Sequence, residues 1–404
     1  MAGTNIDYSL GVAFGGSVEG LFRIGVSEID STDIISGWPA DAGFDDLTDD
    51  LVAFSTRRGR SNDQAQLMAG GLTFRLRDQA GAYNPANTAS SYYPNVVPFK
   101  VVRLQATFDG TTHTLFYGFI VNISNNANPN NPQTTFACSD LFAWLSLRKP
   151  TISATGSTTT GAAIGKVLDE VEWPASLRSL DTGDTIDDFS ADGGSTCLSL
   201  IQKLLQAEMG QFYIAGDGKA TFKNRNARFA SLASVATIDG ASDTLMGFQS
   251  TNSVSTIFNA STVTRSGGVA QTATDTDSIN TYGRRDAPSI TTSYVSTDTQ
   301  ALGRAALHVL RLKDPKTPAV ATQVSSPAST ADMLARDLGD RITVTEPFQN
   351  TSSKQYFIES IAHSSAASRG VQRHITQWRL SETPATAGTP VVIDLTGINN
   401  YIGA

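Results

Sequence analysis

Alternating apolar and polar residues near the C-terminus predict three consecutive antiparallel strands in residues 338–380. Ile342 and Val344 share one face of the first strand, and a period of two residues is typical of a half-buried strand. The second strand, residues 355–363, is rich in aromatic and branched side chains, and the third follows in residues 371–380. Small polar loops between the segments favour short connections of neighbouring strands.

The same pattern occurs in the first half of the chain, over residues 99–141. Residues 103–107 (RLQAT) correspond to 341–345 (RITVT), and residues 116–120 (FYGFI) correspond to 356–361 (YFIESI). A polar loop and a further strand follow in both places. Because the identity is low, two interpretations stay open: one β-domain used twice in a single chain, or two unrelated three-stranded meanders.

Helical periodicity predicts three helices outside the strands. Thr160 is the expected N-cap of a helix over residues 161–171, and Ser195 is the expected N-cap of one over residues 196–209. A capping box opens a third helix in residues 297–312.

These elements predict a mainly β (α+β) fold in four parts. A first β-domain occupies residues 1–150, and a small α/β module occupies residues 151–240. A second β-domain occupies residues 241–382, and residues 383–404 form a linker with an apolar end. A chain of 404 residues has room for about two to four domains, which agrees with this division.

The charge and cysteine content narrow the classes of function. The net charge of −8 argues against tight binding of duplex DNA, because that affinity comes mainly from neutralising phosphates. Cys138 lies in an apolar strand and Cys197 at a helix start, without a CxxC pair. Both are most simply buried thiols of a protein that folds in a reducing cytosol.

Motifs for targeting, catalysis and metal binding are missing from the sequence. There is no signal-peptide pattern, no apolar run near the ~20 residues that span a bilayer, and no GxSxG, P-loop, HExxH or Rossmann motif. His363 and His374 can lie on neighbouring strands, but a zinc site needs further ligands that the sequence does not place. The acidic runs 45–50 and 181–188 lack EF-hand spacing, which favours solvated loops over calcium sites. We therefore expect no enzyme, no metal and no cofactor.

Three arginines close a predicted strand at Gly59: Arg57, Arg58 and Arg60. Guanidinium groups in such a cluster can bind phosphate, but ion pairs between strands or across an interface are their commoner use. Aromatic residues in turns, such as Tyr83, suit a sugar-binding surface and are equally well explained by turn packing.

Five motifs occur in a set order along residues 8–382: 54–60 (FSTRRGR), 71–76 (GLTFRL), 78–85 (DQAGAYNP), 282–285 (YGRR) and 338–344 (LGDRITV). In this order they resemble the minor tail proteins of long, non-contractile-tailed phages, which are baseplate or tail-tip hub proteins. The family usually has Asn where this chain has Asp78, while the rest of that turn motif is kept.

The resemblance implies a structural virion protein without catalytic residues. It implies a homotrimeric hub with two β-barrel-like, tail-tube-type domains per chain. The implied partners are the distal tail protein and tail tube, the tape measure protein and the tail-tip fibre or receptor-binding proteins. The protein would be made in the host cytoplasm and reside at the virion tail tip, with DNA passing through its lumen without specific binding.

Two other kinds of function stay open beside the hub. One is a carbohydrate-binding or receptor-binding tail appendage, or a bacterial surface adhesin, although an adhesin would need a secretion signal. The other is a cell-wall hydrolase, which would need an acid–base pair or a metal-ligand set that the sequence does not provide. The repeat favours the hub, since three copies of such a chain present six similar domains.

In such a ring, residues 1–150 of one chain would meet residues 241–382 of the next, sheet edge to sheet edge. The candidate contact residues are arginines at strand ends and apolar residues of the C-terminal segment: Arg57, Arg58, Arg60, Arg341, Val391, Ile393 and Leu395.

Deletion of residues 384–404 should leave the fold intact but impair assembly. Residues 391–404 carry more apolar side chains than a free tail usually does, and the linker before them would let them reach a neighbouring subunit or protein. Thermal unfolding and particle assembly of the truncated chain test this expectation. Normal assembly of particles by the truncated chain would rule it out.

Overall fold

The computed structural model describes residues 6–15, 43–63, 65–126, 128, 130–230, 233–241, 245–251, 256–368 and 371–383. The predicted opening strand at residues 21–29 and the predicted docking segment 391–404 lie outside these residues. The mainly β fold is confirmed, because most residues in regular structure belong to strands.

The elements follow one another in three groups. The first group consists of β1 Asp7–Val12, β2 Asp45–Asp46, β3 Leu51–Gly59, β4 Met68–Arg77, β5 Val101–Phe108, β6 Thr111–Asn126, β7 Gln133–Ser139 and α1 Leu141–Leu145. The second consists of β8 Thr151–Ile152, β9 Thr158–Thr159, α2 Thr160–Glu170, β10 Arg178–Leu180, β11 Thr185–Ile186, β12 Ala191–Asp192, α3 Cys197–Glu208, β13 Gln211–Ile214, β14 Ala220–Lys223 and α4 Ala227–Ala230. The third consists of β15 Ala236–Asp239, β16 Leu245–Ser250, β17 Ala260–Arg265, β18 Gln271–Thr274, α5 Thr276–Tyr282, β19 Ile290–Thr292, α6 Asp298–Leu312, β20 Ala319–Val324, α7 Thr330–Ala335, β21 Arg341–Glu346, β22 Thr351–Ser368 and β23 Val371–Glu382.

One sheet contains the main strands of the first and third groups. Its order is β16-β20-β23-β22-β3-β4-β7-β6-β5-β1-β2, and β21 pairs with β22 while β15 pairs with β21. Residues 360–366 of β22 join the two groups by pairing antiparallel with residues 53–59 of β3. The two predicted β-domains therefore share a sheet. The 18-residue strand β22 extends past β21, and the part beyond β21 pairs with β3.

The same six-stranded unit occurs twice in this sheet. The first unit has the order β1-β5-β6-β7-β4-β3, and the second has the order β15-β21-β22-β23-β20-β16. In chain order, each strand of the first unit has a counterpart in the second. The pairs are β1 and β15, β3 and β16, β4 and β20, β5 and β21, β6 and β22, and β7 and β23. Both predicted meanders, β5-β6-β7 and β21-β22-β23, are confirmed as antiparallel and occupy the same place in each unit.

Two of the ladders have irregularities that match between the units. The unpaired residue in the β6–β7 ladder is Val121, and in the β22–β23 ladder it is Glu359. The β3–β4 ladder skips Val52 near its start, and the β16–β20 ladder skips Met246 at the corresponding place. Bulges bend and twist a strand locally, so shared bulges give the two units the same curvature.

The turn before each meander is also built alike. Phe99 and Gly339 both have left-handed backbones, with φ of 65° and 84°. The N–H of Phe99 donates to the carbonyl oxygen of Ile120 at 2.7 Å, and that of Gly339 donates to Ile358 at 2.8 Å. A positive φ is uncommon for a residue such as phenylalanine, so its presence at Phe99 shows that this turn geometry is specified by the unit.

The units also differ, most clearly in the orientation of one strand and in an insertion. β1 is antiparallel to β5, whereas β15 is parallel to β21. The second unit also carries an insertion between β16 and β20, in which α6 packs on the sheet β18-β17-β19. β15 belongs to the range predicted for the α/β module, yet it pairs with the second unit.

Three apolar clusters are centred on the two units and the module. The first unit buries Leu10, Leu72, Phe74, Leu104 and Phe136; the second buries Ile342, Val344, Tyr356, Ile358 and Trp378; the module buries Ile164, Leu168, Ile201, Leu204 and Phe212. The module cluster also includes Val101 and Phe119 of the first unit, so the middle of the chain packs its helices against that unit.

The helix starts differ by one residue from the expected ones. Thr159, not Thr160, caps α2, and its side chain accepts from the N–H of Ala162. Thr196, not Ser195, caps α3. In each case two adjacent residues have capping side chains, and the extended backbone of one of them decides which is the cap. The capping box that opens α6 is confirmed.

Substitution of Trp378 by Ala should reduce the free energy of unfolding by about 3–5 kcal/mol, the range for a large buried aromatic side chain. Trp378 is 1% exposed and packs within the core of the second unit. Urea unfolding of the two proteins measures the difference, and Leu147→Ala serves as a control because Leu147 is 62% exposed. A loss below about 1 kcal/mol for Trp378→Ala would contradict this account of the core.

Candidate assembly site and its charge clusters

The three arginines at the end of β3 have different environments. Arg57 is exposed. Arg58 pairs with the carboxylate of Asp337, and Arg60, which is 9% exposed, donates from Nε to Oε2 of Glu359 at 2.7 Å. Arg58 and Arg60 thus make ion pairs within the chain, which is the commoner use expected for such a cluster.

The other candidate contact residues are either buried or outside the described part. Arg341 begins β21 and is 3% exposed, with its guanidinium carbon 5.9 Å from the centre of the Phe357 ring. The apolar candidates lie outside the described residues: Val391, Ile393 and Leu395. Because Arg60 and Arg341 are buried within one chain, Arg57 is the predicted arginine that is best placed to meet another subunit, and that role stays a prediction.

Glu359 is the centre of a buried charge cluster where three parts of the chain meet. It occupies the bulge of β22 and is 2% exposed. Arg228 of α4 donates to both of its carboxylate oxygens, at 2.7 and 2.8 Å. Arg60 donates from the position directly after β3, and the hydroxyl of Ser381 donates from β23. Burial raises the pKa of Glu359, but Arg228 and Arg60 outweigh it and hold the pKa well below its usual range. The carboxylate is therefore ionised and ties α4 and β3 to β22.

A second cluster fastens the inserted helix α6 to the module. Arg304 of α6 donates from Nε to the carbonyl oxygen of Ala207 at 2.8 Å and from Nη2 to Asp184. Arg225 also binds Asp184, at 2.6 Å, and reaches Glu208 at 3.1 Å. Burial raises the pKa of Asp184, but the two arginines outweigh it and hold the pKa below its usual range. The module and the insertion are thus held together by paired charges.

His363 and His374 lie on neighbouring strands, β22 and β23, as the sequence indicated. Nδ1 of His363 is 3.1 Å from Nε2 of His374, and the Tyr8 hydroxyl of β1 is 2.9 Å from Nδ1 of His374. Burial lowers the pKa of His374 to about 4, and burial together with His374 and Arg58 lowers that of His363 well below its usual range. Both imidazoles are neutral near pH 7 and connect β1 to β23 by side-chain hydrogen bonds.

The described part of the chain has neither a metal-ligand cluster nor a membrane-spanning helix. No three His, Cys, Asp or Glu side chains within it are placed to hold a metal ion. None of the helices within it is both long and apolar enough to cross a bilayer. Cys138 and Cys197 are free and buried, as predicted.

Sequence reasoning missed the partners of Arg60. Glu359 stands alone as an acid in the apolar run 356–361, and an isolated carboxylate in such a strand is a signal that it needs a buried cationic partner. Arg228 gave no comparable signal, because it lies in a short helix far away in sequence. Only the folded chain brings Arg60, Arg228 and Glu359 together.

A protein built from two copies of a six-stranded unit with an α/β module between them has known structural counterparts. No protein-family model and no curated protein sequence matches the chain at a significant level. The 43 kDa tail protein of prophage MuSo2 from Shewanella oneidensis is similar in structure, with 13% identity and a TM-score of 0.61, covering 93% of this chain and 98% of that chain. The tail protein from Neisseria meningitidis MC58 has 13% identity and a TM-score of 0.60, covering 94% of this chain and 96% of that chain.

A third similar structure comes from the PdpA–VgrG complex of Francisella. It has 10% identity and a TM-score of 0.51, and the match covers 94% of this chain but 58% of that chain. The chain thus has the fold of tail proteins over nearly its whole length, and the resemblance to phage tail proteins that the sequence indicated is confirmed.

Replacement of Glu359 by Gln should reduce the free energy of unfolding by about 3–5 kcal/mol at pH 7, because two buried guanidinium groups lose their counter-charge. The folded-state pKa of Glu359 is depressed, so its stabilising effect is present above the unfolded pKa and is lost as the pH falls. The difference between wild type and variant should therefore narrow below about pH 4.5.

Urea unfolding at pH 7 and at lower pH values measures this difference. Asp286→Asn is the control, because the Arg284–Asp286 pair is exposed and should contribute no measurable stability at either pH. A difference between wild type and Glu359→Gln that does not change with pH would contradict an ionised Glu359.

Proposed function

We propose that this chain is a structural protein of a phage tail, of which three copies form a hub ring at the distal end of the tail. The observation that carries the proposal is the repeated six-stranded unit with its matching bulges. The likeness to two tail proteins over at least 93% of this chain supports it.

The repeat gives a physical reason for three copies. The resemblance to tail proteins implies a tail tube with six-fold symmetry and a tip with three-fold symmetry. A ring of three chains with two similar units each would present six units to the tube. A cyclic trimer repeats one heterologous contact around a closed ring. The hub would therefore continue the tube with pseudo-six-fold symmetry while its own symmetry is three-fold.

The proposed position determines the partners. On one side the ring would bind the distal tail protein and the tail tube, with the tape measure protein inside, and on the other side the tip fibre or receptor-binding proteins. DNA would pass through the central opening during ejection. The net charge of −8 agrees with this role, because a negative wall does not retain phosphates.

The purified chain should form ring-shaped particles with three-fold symmetry and three times the mass of one 42.8 kDa chain. Mass photometry gives the number of copies, and negative-stain microscopy gives the symmetry and the central opening. A permanent ring should bury roughly 2,000 Å² or more at each contact, so the trimer should persist on dilution. A stable monomer that binds host glycans with saturation would instead favour a receptor-binding appendage.

A further inference from the structure

We propose that neighbouring copies in the ring are joined by an antiparallel β-ladder between the end of β6 in one copy and β16 in the next. The inference rests on the proposed ring, and it names the residues that form the contact. It is drawn from the join that the two units already make within one chain, between β22 and β3.

The end of β6 has an edge that its own unit leaves open. β5 pairs with β6 up to Phe119, and the adjacent loop bonds Ile120. Beyond the bulge at Val121, the ladders of the described residues use the β7 side of β6. Residues 121–126 are mostly exposed and offer backbone groups on the opposite side.

β16 has the complementary open edge. It ends the order of strands in the main sheet, with β20 as its ladder partner in the described residues. The side-chain amide of Gln349 donates to the carbonyl oxygen of Phe248 at 2.7 Å and accepts from the Ser250 hydroxyl at 2.6 Å. A single side chain at this edge is readily displaced by an incoming strand, which would add main-chain hydrogen bonds along its length.

The join within the chain shows how such edges pair. β22 corresponds to β6, and β3 corresponds to β16. In the second unit, one edge of β22 pairs with β21 near the start of β22 and with β3 near the end of β22. The end of β6 is therefore the position that pairs with the next unit, and β16 is the strand that receives it.

The bulges fix the register on the β6 side. Ser124 lies three positions after the bulge residue Val121, and Ala362 lies three positions after Glu359. Because the two bulges occupy the same place in their units, Ser124 corresponds to Ala362.

The bulges fix the register on the β16 side as well. Thr251 lies five positions after the skipped residue Met246, and Arg57 lies five positions after Val52. The N–H of Thr251 bonds to the carbonyl oxygen of Pro318 at 3.0 Å, so the β16–β20 ladder continues to this residue. Thr251 therefore corresponds to Arg57.

The expected pairs follow from the join within the chain. Ala362 is opposite Arg57 there, so Ser124 of one copy is expected opposite Thr251 of the next. Because the N–H of Thr251 points towards β20, the pair belongs to the non-hydrogen-bonded kind, whose side chains lie closest. Both side chains are exposed in the single chain, which leaves them accessible to a partner.

Exposed apolar residues flank both edges. Val121 is 42% exposed, whereas its counterpart Glu359 is covered by the join within the chain. Phe348, beside the Gln349 that contacts β16, is 98% exposed. Apolar side chains at two otherwise polar edges are typical of a surface that a partner covers, and a second copy brings the two edges together.

Paired cysteines test the ladder and its register. Ser124→Cys combined with Thr251→Cys should give disulfide-linked dimers and trimers under mild oxidation, which disappear on reduction. Ser124→Cys with Ser250→Cys is the register control, because a shift by one residue turns the second side chain to the other face. Arg57→Cys with Ala362→Cys, at the equivalent join, should form a link within the chain and shows that the geometry allows a disulfide. The native Cys138 and Cys197 are buried and give no competing links.

The outcomes separate the ladder from the ring. Rings that form without a Ser124–Thr251 link, while the link within the chain forms, would overturn the ladder and leave the proposed hub intact. Links of equal yield in the register control would overturn the register and with it the ladder. A wild-type chain that forms no ring would overturn the proposed hub, and this inference would fall with it.

Hydrogen exchange of the wild-type protein gives a reading that needs no variant. The Ser250 amide should exchange more slowly in the assembled ring than in chains dissociated by mild denaturant. Equal exchange in the two states would overturn the ladder.

Discussion

The structure depends on the need to pair the backbone groups at the edges of a long sheet. A strand edge in water exposes unpaired N–H and C=O groups and invites association with other strands. Within the chain, β22 satisfies its edges by pairing with β21, β23 and β3. These pairings join the two units into one sheet. The open edges of β6 and β16 occupy the positions equivalent to this join, so the constraint that joins the units also underlies the proposed assembly.

Charge clusters set the orientation of the other parts. Glu359 lies at the bulge next to the join, where two arginines from different elements reach one carboxylate. Such a pair contributes little net stability compared with an apolar contact, but the loss of one partner is costly. Its effect is to favour one arrangement of β22, β3 and α4. The Asp184 cluster acts in the same way on α6, whose apolar stripe alone would leave its rotation and position less defined.

The repeated unit connects the fold with the proposed role. Two units with the same strand order and the same bulges present similar surfaces, so a ring of a few chains can match a tube with twice as many subunits. The largest differences between the units are the orientation of β15 and the insertion that carries α6, while the β5–β6 and β21–β22 ladders are irregular at different places. The similarity to tail proteins at low identity fits a fold in which strand order and bulges are kept while side chains change.

The sequence by itself determined the local elements, because a period of two or 3.6 residues and the capping residues act over short distances. It predicted both meanders, α6 with its capping box, and two buried cysteines, and it indicated that a unit is used twice. The tertiary structure alone decided that β22 pairs with β3 and that Arg60 and Arg228 meet at Glu359. It also decided that Tyr8 bonds to His374, which in turn contacts His363. These contacts join residues far apart in the chain, so no local pattern encodes them, and the pairing of β22 with β3 depends on the length by which β22 extends past β21.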